Sequence, residues 1–259
     1  MAKRISTPVI YNRLRKGRVA ASTLAVAALL SLSPANAATL KVAVAANFKP
    51  TLEQLATQFQ QQTGDQVAIS SASSGVLYQQ IVNGAPFDLF LSADRERPER
   101  LEKEGRIVPN SRFTYARGQL ALWNTGTPVG TDPKQWQGKL AIANPRTAPY
   151  GAAAQYWLEQ NGAWNIAGLT LVTGANIAQT YQFVQTGNAP MGLVAYPNVK
   201  MAHPQGQVWL LPADAYPAIE QQAVILASSS QPKAAKAFAD FLRSDAARSL
   251  IESHGYLAQ

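Results

Sequence analysis

The apolar positions along this chain change period again and again, and each change marks an element. Leu40-Lys41-Val42-Ala43-Val44 alternates as a strand does, and Leu52, Leu55, Ala56 and Phe59 then recur at helical spacing until Gly64. Residues 67–70 predict a second strand and Leu77 with Ile81 a second helix, ended by Gly84-Ala85-Pro86. Asp88-Leu89-Phe90-Leu91-Ser92 predicts a third, buried strand, which completes a β-α-β-α-β unit. A charged helix over 97–104 reads as a solvated face, residues 118–123 as one further strand, and the Gly/Thr/Pro-rich residues 124–133 as a surface loop. The first pattern then returns. Strands at 139–143, 169–173 and 191–196 enclose helices at 152–161 and from Ile177 to Gly187. Two more strands, 208–211 and 222–226, precede helices over 233–242 and 246–254.

Two such units predict an α/β protein of two lobes, each a mostly parallel sheet flanked by helices, with a ligand cleft between them. The spans are 1–37 for a leader, 38–121 for the first lobe, 122–212 for the second, and 213–259 for a segment that returns to the first. In parallel sheets ligands bind beyond the carboxyl ends of the strands. Four loops stand there: Ala46-Asn47, Ser73-Ser74, Tyr150-Gly151 and Asn176-Ile177, and each opens a helix. A helix start leaves N–H groups unpaired and carries partial positive charge, so four converging starts suit a small anion. Each residue also has an ordinary reading: Asn47 and Ser74 as helix caps, Tyr150 as a loop aromatic, Ile177 as core.

Composition changes this picture at the N-terminus. Lys3, Arg4, Arg13, Arg15, Lys16 and Arg18 precede an apolar run over 19–32, and Ala35-Asn36-Ala37 has the small residues of a secretory cleavage site. The run is short for a membrane span, which predicts export to the periplasm and cleavage after Ala37. Six of the 23 basic residues and none of the 15 acidic ones precede that cut, so the formal charge of +8 falls to +2. No basic cluster with interleaved aromatics remains, which argues against a nucleic-acid partner. The absence of cysteine excludes a disulfide scaffold, thiolate metal ligands, a cysteine nucleophile and a lipidated anchor.

The same residues limit the chemistry. Only two histidines exist, His203 and His254, both expected at the surface, and no Gly-x-Ser-x-Gly elbow accompanies them, so a secreted hydrolase is a weak alternative. Asp88 and Asp94 lie where a strand end needs only polar punctuation. Phosphate-binding glycine loops of the Gly-x-x-x-x-Gly-Lys-Ser/Thr or Gly-x-Gly-x-x-Gly kind are missing. The candidate loops contain no carboxylate, which disfavours a protonated phosphate.

Ala45-Ala46-Asn47-Phe48, Ser73-Ser74-Gly75 with Gln80-Ile81, Gly84-Ala85-Pro86 through Asp88 to Asp94, Asn144-Pro145 with Pro149-Tyr150-Gly151, and Asn188-Ala189-Pro190-Met191-Gly192-Leu193-Val194 stand in an order that resembles the periplasmic molybdate-binding proteins of ABC importers. The resemblance runs from Thr39 to the C-terminus. It implies a type II periplasmic-binding fold, with two crossing segments between the lobes, that closes on molybdate or tungstate without a cofactor or a metal-ion ligand. It further implies a monomer that delivers its ligand to a membrane permease. Matched position by position, the oxyanion ligands are Asn47, Ser74, Tyr150 and Ile177. Many members place a tyrosine where this chain has Ala195, with Tyr196 displaced by one and read as core, so Tyr150 is expected to supply the missing phenol. A receptor for sulfate, phosphate or a carboxylate is the neighbouring alternative.

Overall fold

In the computed structural model the first lobe opens with strand β1 (Thr39–Ala45), helix α1 (Lys49–Thr63), β2 (Gln66–Ala72), α2 (Ser74–Val82), β3 (Leu89–Leu91), α3 (Glu96–Lys103) and β4 (Phe113–Gly118). The second contains β5 (Leu120–Asn124), β6 (Gly138–Ala143), α4 (Pro149–Gln160), β7 (Leu169–Gly174), α5 (Ile177–Gln185), β8 (Met191–Ala195), α6 (Tyr196–Ala202) and β9 (Gln207–Leu210). The chain then returns through β10 (Ile219–Ile225), α7 (Pro232–Leu242) and α8 (Asp245–Ser253). The structure describes residues 37–257 together with Ala2 and Arg4; the rest of the leader expected over 1–37 lies outside the described residues. Ala37–Gln259 forms one compact unit.

Each lobe is built on a five-stranded sheet, ordered β2-β1-β3-β10-β4 in the first and β7-β6-β8-β5-β9 in the second. β1 pairs parallel with β2 and β3, and β6 parallel with β7 and β8, so the carboxyl ends of these strands point to one edge in each lobe. The antiparallel strands β4, β5 and β10 carry the chain between lobes. This is the two-lobed α/β arrangement of type II periplasmic binding proteins.

Local chemistry explains the helices that frame the cleft. α1 starts with Pro50 in its first turn, buries Leu52, Leu55, Ala56 and Phe59, and ends at Gly64, whose φ of 81° lets its N–H close back on the Gln60 carbonyl. α5 is capped by Asn176, whose side chain accepts from the Gln179 N–H at 3.0 Å. One core packs α1, α7 and α8 on the first sheet. Another, holding Trp136, Leu140, Trp157 and Leu193, reaches Ala45, Ala46 and Ala93 of the first lobe, so the lobes meet around the strand ends.

Two elements differ from the sequence reading. The single strand expected at 118–123 is two strands in different sheets, broken at Gln119, so the chain crosses two residues before the expected boundary at 121/122. The run is buried on both sides of the break, Gln119 included, and burial does not reveal which sheet a strand joins. The second difference is at Tyr196, which opens α6 with Pro197 in its first turn instead of ending β8.

Candidate functional site

The loops after β1, β2, β6 and β7 bring Asn47, Ser74, Tyr150 and Ile177 to one cavity between the lobes. Its lining is Ala45, Ala46, Asn47, Ser73, Ser74, Ala93, Ala148, Pro149, Tyr150, Asn176 and Ile177, around some 200 Å³ of atom-free space including its mouth. No ionisable carboxylate, lysine or arginine is among them. A larger hollow along Gly75, Val76, Gln79 and Asn83, about 910 Å³ on the same measure, lies open at the surface. Backbone contacts bridge the seam beside the cavity: the Gly75 N–H donates to the Thr147 carbonyl at 2.9 Å, and the Asn198 amide to the Asn47 carbonyl at 3.0 Å. A Cβ on Gly75 would stand 3.0 Å from Thr147 Cα, so a bare backbone is what lets the lobes approach here.

The first lobe offers side chains. Asn47 is 1% exposed; the residue that caps α1 is Phe48, so Asn47 is free of that duty. Its Nδ2 is held by Gln221 Oε1 at 2.8 Å and the Tyr256 hydroxyl at 3.2 Å, while its Oδ1 is buried without a partner. Ser73 is the N-cap of α2, yet its hydroxyl makes no capping bond and is likewise buried and unpartnered. Ser74 Oγ accepts from the Ala93 N–H at 2.9 Å, which leaves its proton to donate elsewhere. Buried polar atoms without partners are rare in folded proteins and call for an explanation, and two of them line one cavity here.

The second lobe offers backbone. Tyr150 and Ile177 lie in the first turns of α4 and α5, where N–H groups have no intrahelical acceptor and the helix dipole is positive. The Tyr150 phenol extends to the crossing strands: Gln221 Nε2 donates to it at 3.5 Å, and a Cβ on Gly118 would overlap it. Gly118 is therefore the residue that makes room for this ring. Burial first, then the neighbouring phenols of Tyr256, Tyr115 and Tyr216, hold Tyr150 well above the usual tyrosine range, so it stays neutral. Ala195 packs in the cluster that holds Ala148, Tyr150 and Ile177, whereas Tyr196 packs with Trp123 and Val194 and is only partly buried.

Sequence reasoning singled out Ser74 and passed over Ser73 as a ligand, since two adjacent hydroxyls at a strand–helix junction look alike. Gln221, Tyr115 and Tyr256 carried no signal, because Asn47 lies 174 and 209 positions from Gln221 and Tyr256. His203 is exposed as expected, but His254 is half-buried and shares a hydrogen bond with Thr51 at 2.9 Å. Burial first, then Lys200, lowers its pKa, so its environment favours the neutral ring.

The residues a hydrolase would require are committed elsewhere. Asp88 accepts from the Lys41 N–H and from Ser229, Ser230 and Gln231 at the start of α7, and Asp94 is paired with Arg97. Among the described residues no cluster of histidine and carboxylate side chains could hold a metal ion.

Relatives of the chain share its sequence and its fold. The chain is 42% identical to the molybdate-binding protein ModA of Rhodobacter capsulatus, over 93% of this chain and 97% of that one. It is 44% identical to ModA of Azotobacter vinelandii, over 90% and 95%. The solved periplasmic molybdate-binding protein of Azotobacter vinelandii superimposes with a TM-score of 0.80 at 39% identity, covering 85% of this chain and 99% of that one. Residues 40–257 match the model of the bacterial extracellular solute-binding proteins, and the chain belongs to that family, whose members bind solutes and are not enzymes.

Proposed function

We propose that this protein captures a tetrahedral oxyanion, molybdate and equally tungstate, in the periplasm and hands it to the membrane permease of an ABC importer. One observation carries the reading: a buried cavity free of ionised side chains, lined by helix starts and by two polar residues, Asn47 and Ser73, whose atoms lack partners in the protein. A dianion stripped of water needs donors on most of its oxygens, and neutral N–H and O–H groups supply them without a titratable partner. The relatives named as molybdate-binding proteins support molybdate among the tetrahedral oxyanions, and tungstate, of the same shape and charge, is proposed beside it. Asn47, Ser74, Tyr150 and Ile177 are the ligands in this reading, with Ser73 added to them. The protein works as a monomer without a cofactor, after cleavage behind Ala37.

Thermal shift of residues 38–259 with molybdate, tungstate, sulfate and phosphate tests this. A ligand that binds only the native state stabilises it by about 2.7 kcal/mol at a hundredfold excess over Kd. Molybdate and tungstate are expected to raise the melting temperature at micromolar concentration and phosphate to leave it unchanged. A shift with sulfate or phosphate and none with molybdate overturns the assignment.

A further inference from the structure

Behind the cavity wall lies a polar cluster outside the ligand set. Gln221 is fully buried on β10, beside the bulge between Gln221 and Gln222, and does not line the cavity. Its Oε1 is 2.8 Å from Asn47 Nδ2 and 3.1 Å from the Tyr115 hydroxyl, and its Nε2 is 3.5 Å from the Tyr150 phenol. The Tyr256 hydroxyl donates to the Asn47 carbonyl at 3.0 Å, and the Tyr115 hydroxyl to the Ser92 carbonyl at 3.1 Å. Asn47, Tyr115, Gln221 and Tyr256 belong to the first lobe and Tyr150 to the second, so the cluster spans the junction.

In this arrangement the Asn47 NH₂ is spent behind the cavity and the unpartnered end of its amide is the acceptor Oδ1. An anion requires the opposite. The two ends of a carboxamide have the same shape, so a half-turn exchanges Oδ1 and Nδ2 without repacking. A half-turn of Asn47 alone would oppose its Oδ1 to Gln221 Oε1, two acceptors at a distance of 2.8 Å. If both amides turn, Gln221 Nε2 donates to Asn47 Oδ1 and to the Tyr115 hydroxyl, which keeps its proton on the Ser92 carbonyl. Gln221 Oε1 then accepts the Tyr150 O–H. The Tyr256 hydroxyl, 3.2 Å from this end of the Asn47 amide, turns its proton from the Asn47 carbonyl, which keeps the Asn198 amide, to Asn47 Oδ1, and the Asn47 NH₂ is released toward the cavity.

We propose that Gln221 is a positioning residue for the oxyanion: its amide turns together with that of Asn47, so an anion in the cavity selects the NH₂-inward form and reverses the hydrogen bond between Gln221 of the first lobe and the Tyr150 phenol of the second. The inference rests on the oxyanion reading above. It connects occupancy to the crossing strands through one buried glutamine that does not line the cavity.

Isotope-labelled protein titrated with sodium molybdate tests it without any variant. The side-chain NH₂ resonances of Asn47 and Gln221 are expected to move on one binding curve. In Gln221→Met, which keeps the volume but neither donor nor acceptor, Kd is expected to rise about tenfold, measured well below a melting temperature that falls because the buried Asn47 NH₂ loses its acceptor. Gln221→Glu, an acceptor only when ionised, fixes the Asn47 NH₂ away from the cavity and is expected to weaken binding further, less so as the pH falls and the carboxyl gains a proton. A Gln221 resonance that stays still while Asn47 moves, or a Met variant within twofold of wild type, overturns the coupling. A wild-type chain that binds neither molybdate, tungstate nor sulfate overturns the oxyanion reading and the coupling with it, and the wild-type titration alone separates that failure from the others.

Discussion

The two walls of the cavity are made of different material. The first lobe contributes side chains, Asn47, Ser73 and Ser74, two of which hold buried atoms without partners. The second contributes the starts of α4 and α5, where Asn176 already caps α5 and what remains is backbone N–H. A backbone donor is positioned by an entire helix and survives every substitution except proline. A side-chain donor can be removed one atom at a time, and its orientation depends on neighbours. Specificity that must be adjusted therefore resides in the first lobe, and the fixed positive potential in the second.

Asn47→Asp attacks this difference hardest. It puts an acceptor-only, charged group against a dianion, and an uncompensated buried charge costs about 3–5 kcal/mol, which corresponds to a loss of at least about a hundredfold in molybdate affinity. Calorimetry on the folded variant measures it, and binding within tenfold of wild type would remove Asn47 from the wall. The serines sharpen the comparison. Ser73→Ala and Ser74→Ala are each expected to weaken binding roughly ten- to a hundredfold, since a bond to a charged group contributes about 1.5–3 kcal/mol. Only Ser74→Ala orphans a protein donor, the Ala93 N–H, so only it should lower the melting temperature of the free protein as well. Equal melting temperatures for the two would show that the Ser74 contact contributes nothing to the fold.

Tyr150→Phe probes whether a second-lobe side chain matters. The phenol meets Gln221 at the crossing, so its loss is expected to cost affinity about tenfold or less, through the amide pair, while Tyr196→Phe changes nothing measurable. Affinity lost at Tyr196 and kept at Tyr150 would reverse the assignment of the two phenols.

What could be read from the sequence was local. The period changes around β1, α1, β2 and α2, and the glycines that end helices, depend on neighbours a few residues away, so both β-α-β-α-β units were legible together with the four loops that open onto the cavity. The crossing at Gln119 was not, because Tyr115 and Ala116 on one side and Leu120 to Trp123 on the other are all buried, and burial on both sides of a break conceals a change of sheet. Strand β4, which carries Thr114 and Arg117, shows no clear period of its own and is completed only by pairing with β10 of the returning segment. The site was legible as positions but not as orientations: nothing local says which of two adjacent serines is spent on Ala93, or that the Asn47 amide faces a glutamine 174 residues away. Those facts exist only once the returning segment has docked.

The smallest expected effect lies at the far edge of the same seam. His254 follows α8 in the first lobe and shares a hydrogen bond with Thr51, while Lys200 approaches from α6 of the second. Burial, and then Lys200, lowers the His254 pKa below the usual value of about 6.5. A group with a depressed folded pKa binds fewer protons than it does unfolded, so its contribution to stability is complete above about pH 6.5 and is lost as the pH falls through the folded value. Lys200 sits on the other lobe, so the like-charge repulsion with protonated His254 acts mainly when the lobes are closed. Molybdate affinity is therefore expected to fall a few-fold between pH 7.5 and pH 5.5, and His254→Gln, which cannot gain a charge, is expected to flatten that slope while leaving affinity at pH 7.5 unchanged. Titrations at the two pH values with both proteins decide it. Parallel slopes would mean that the protonation of His254 is felt by the first lobe alone and that closure does not depend on it.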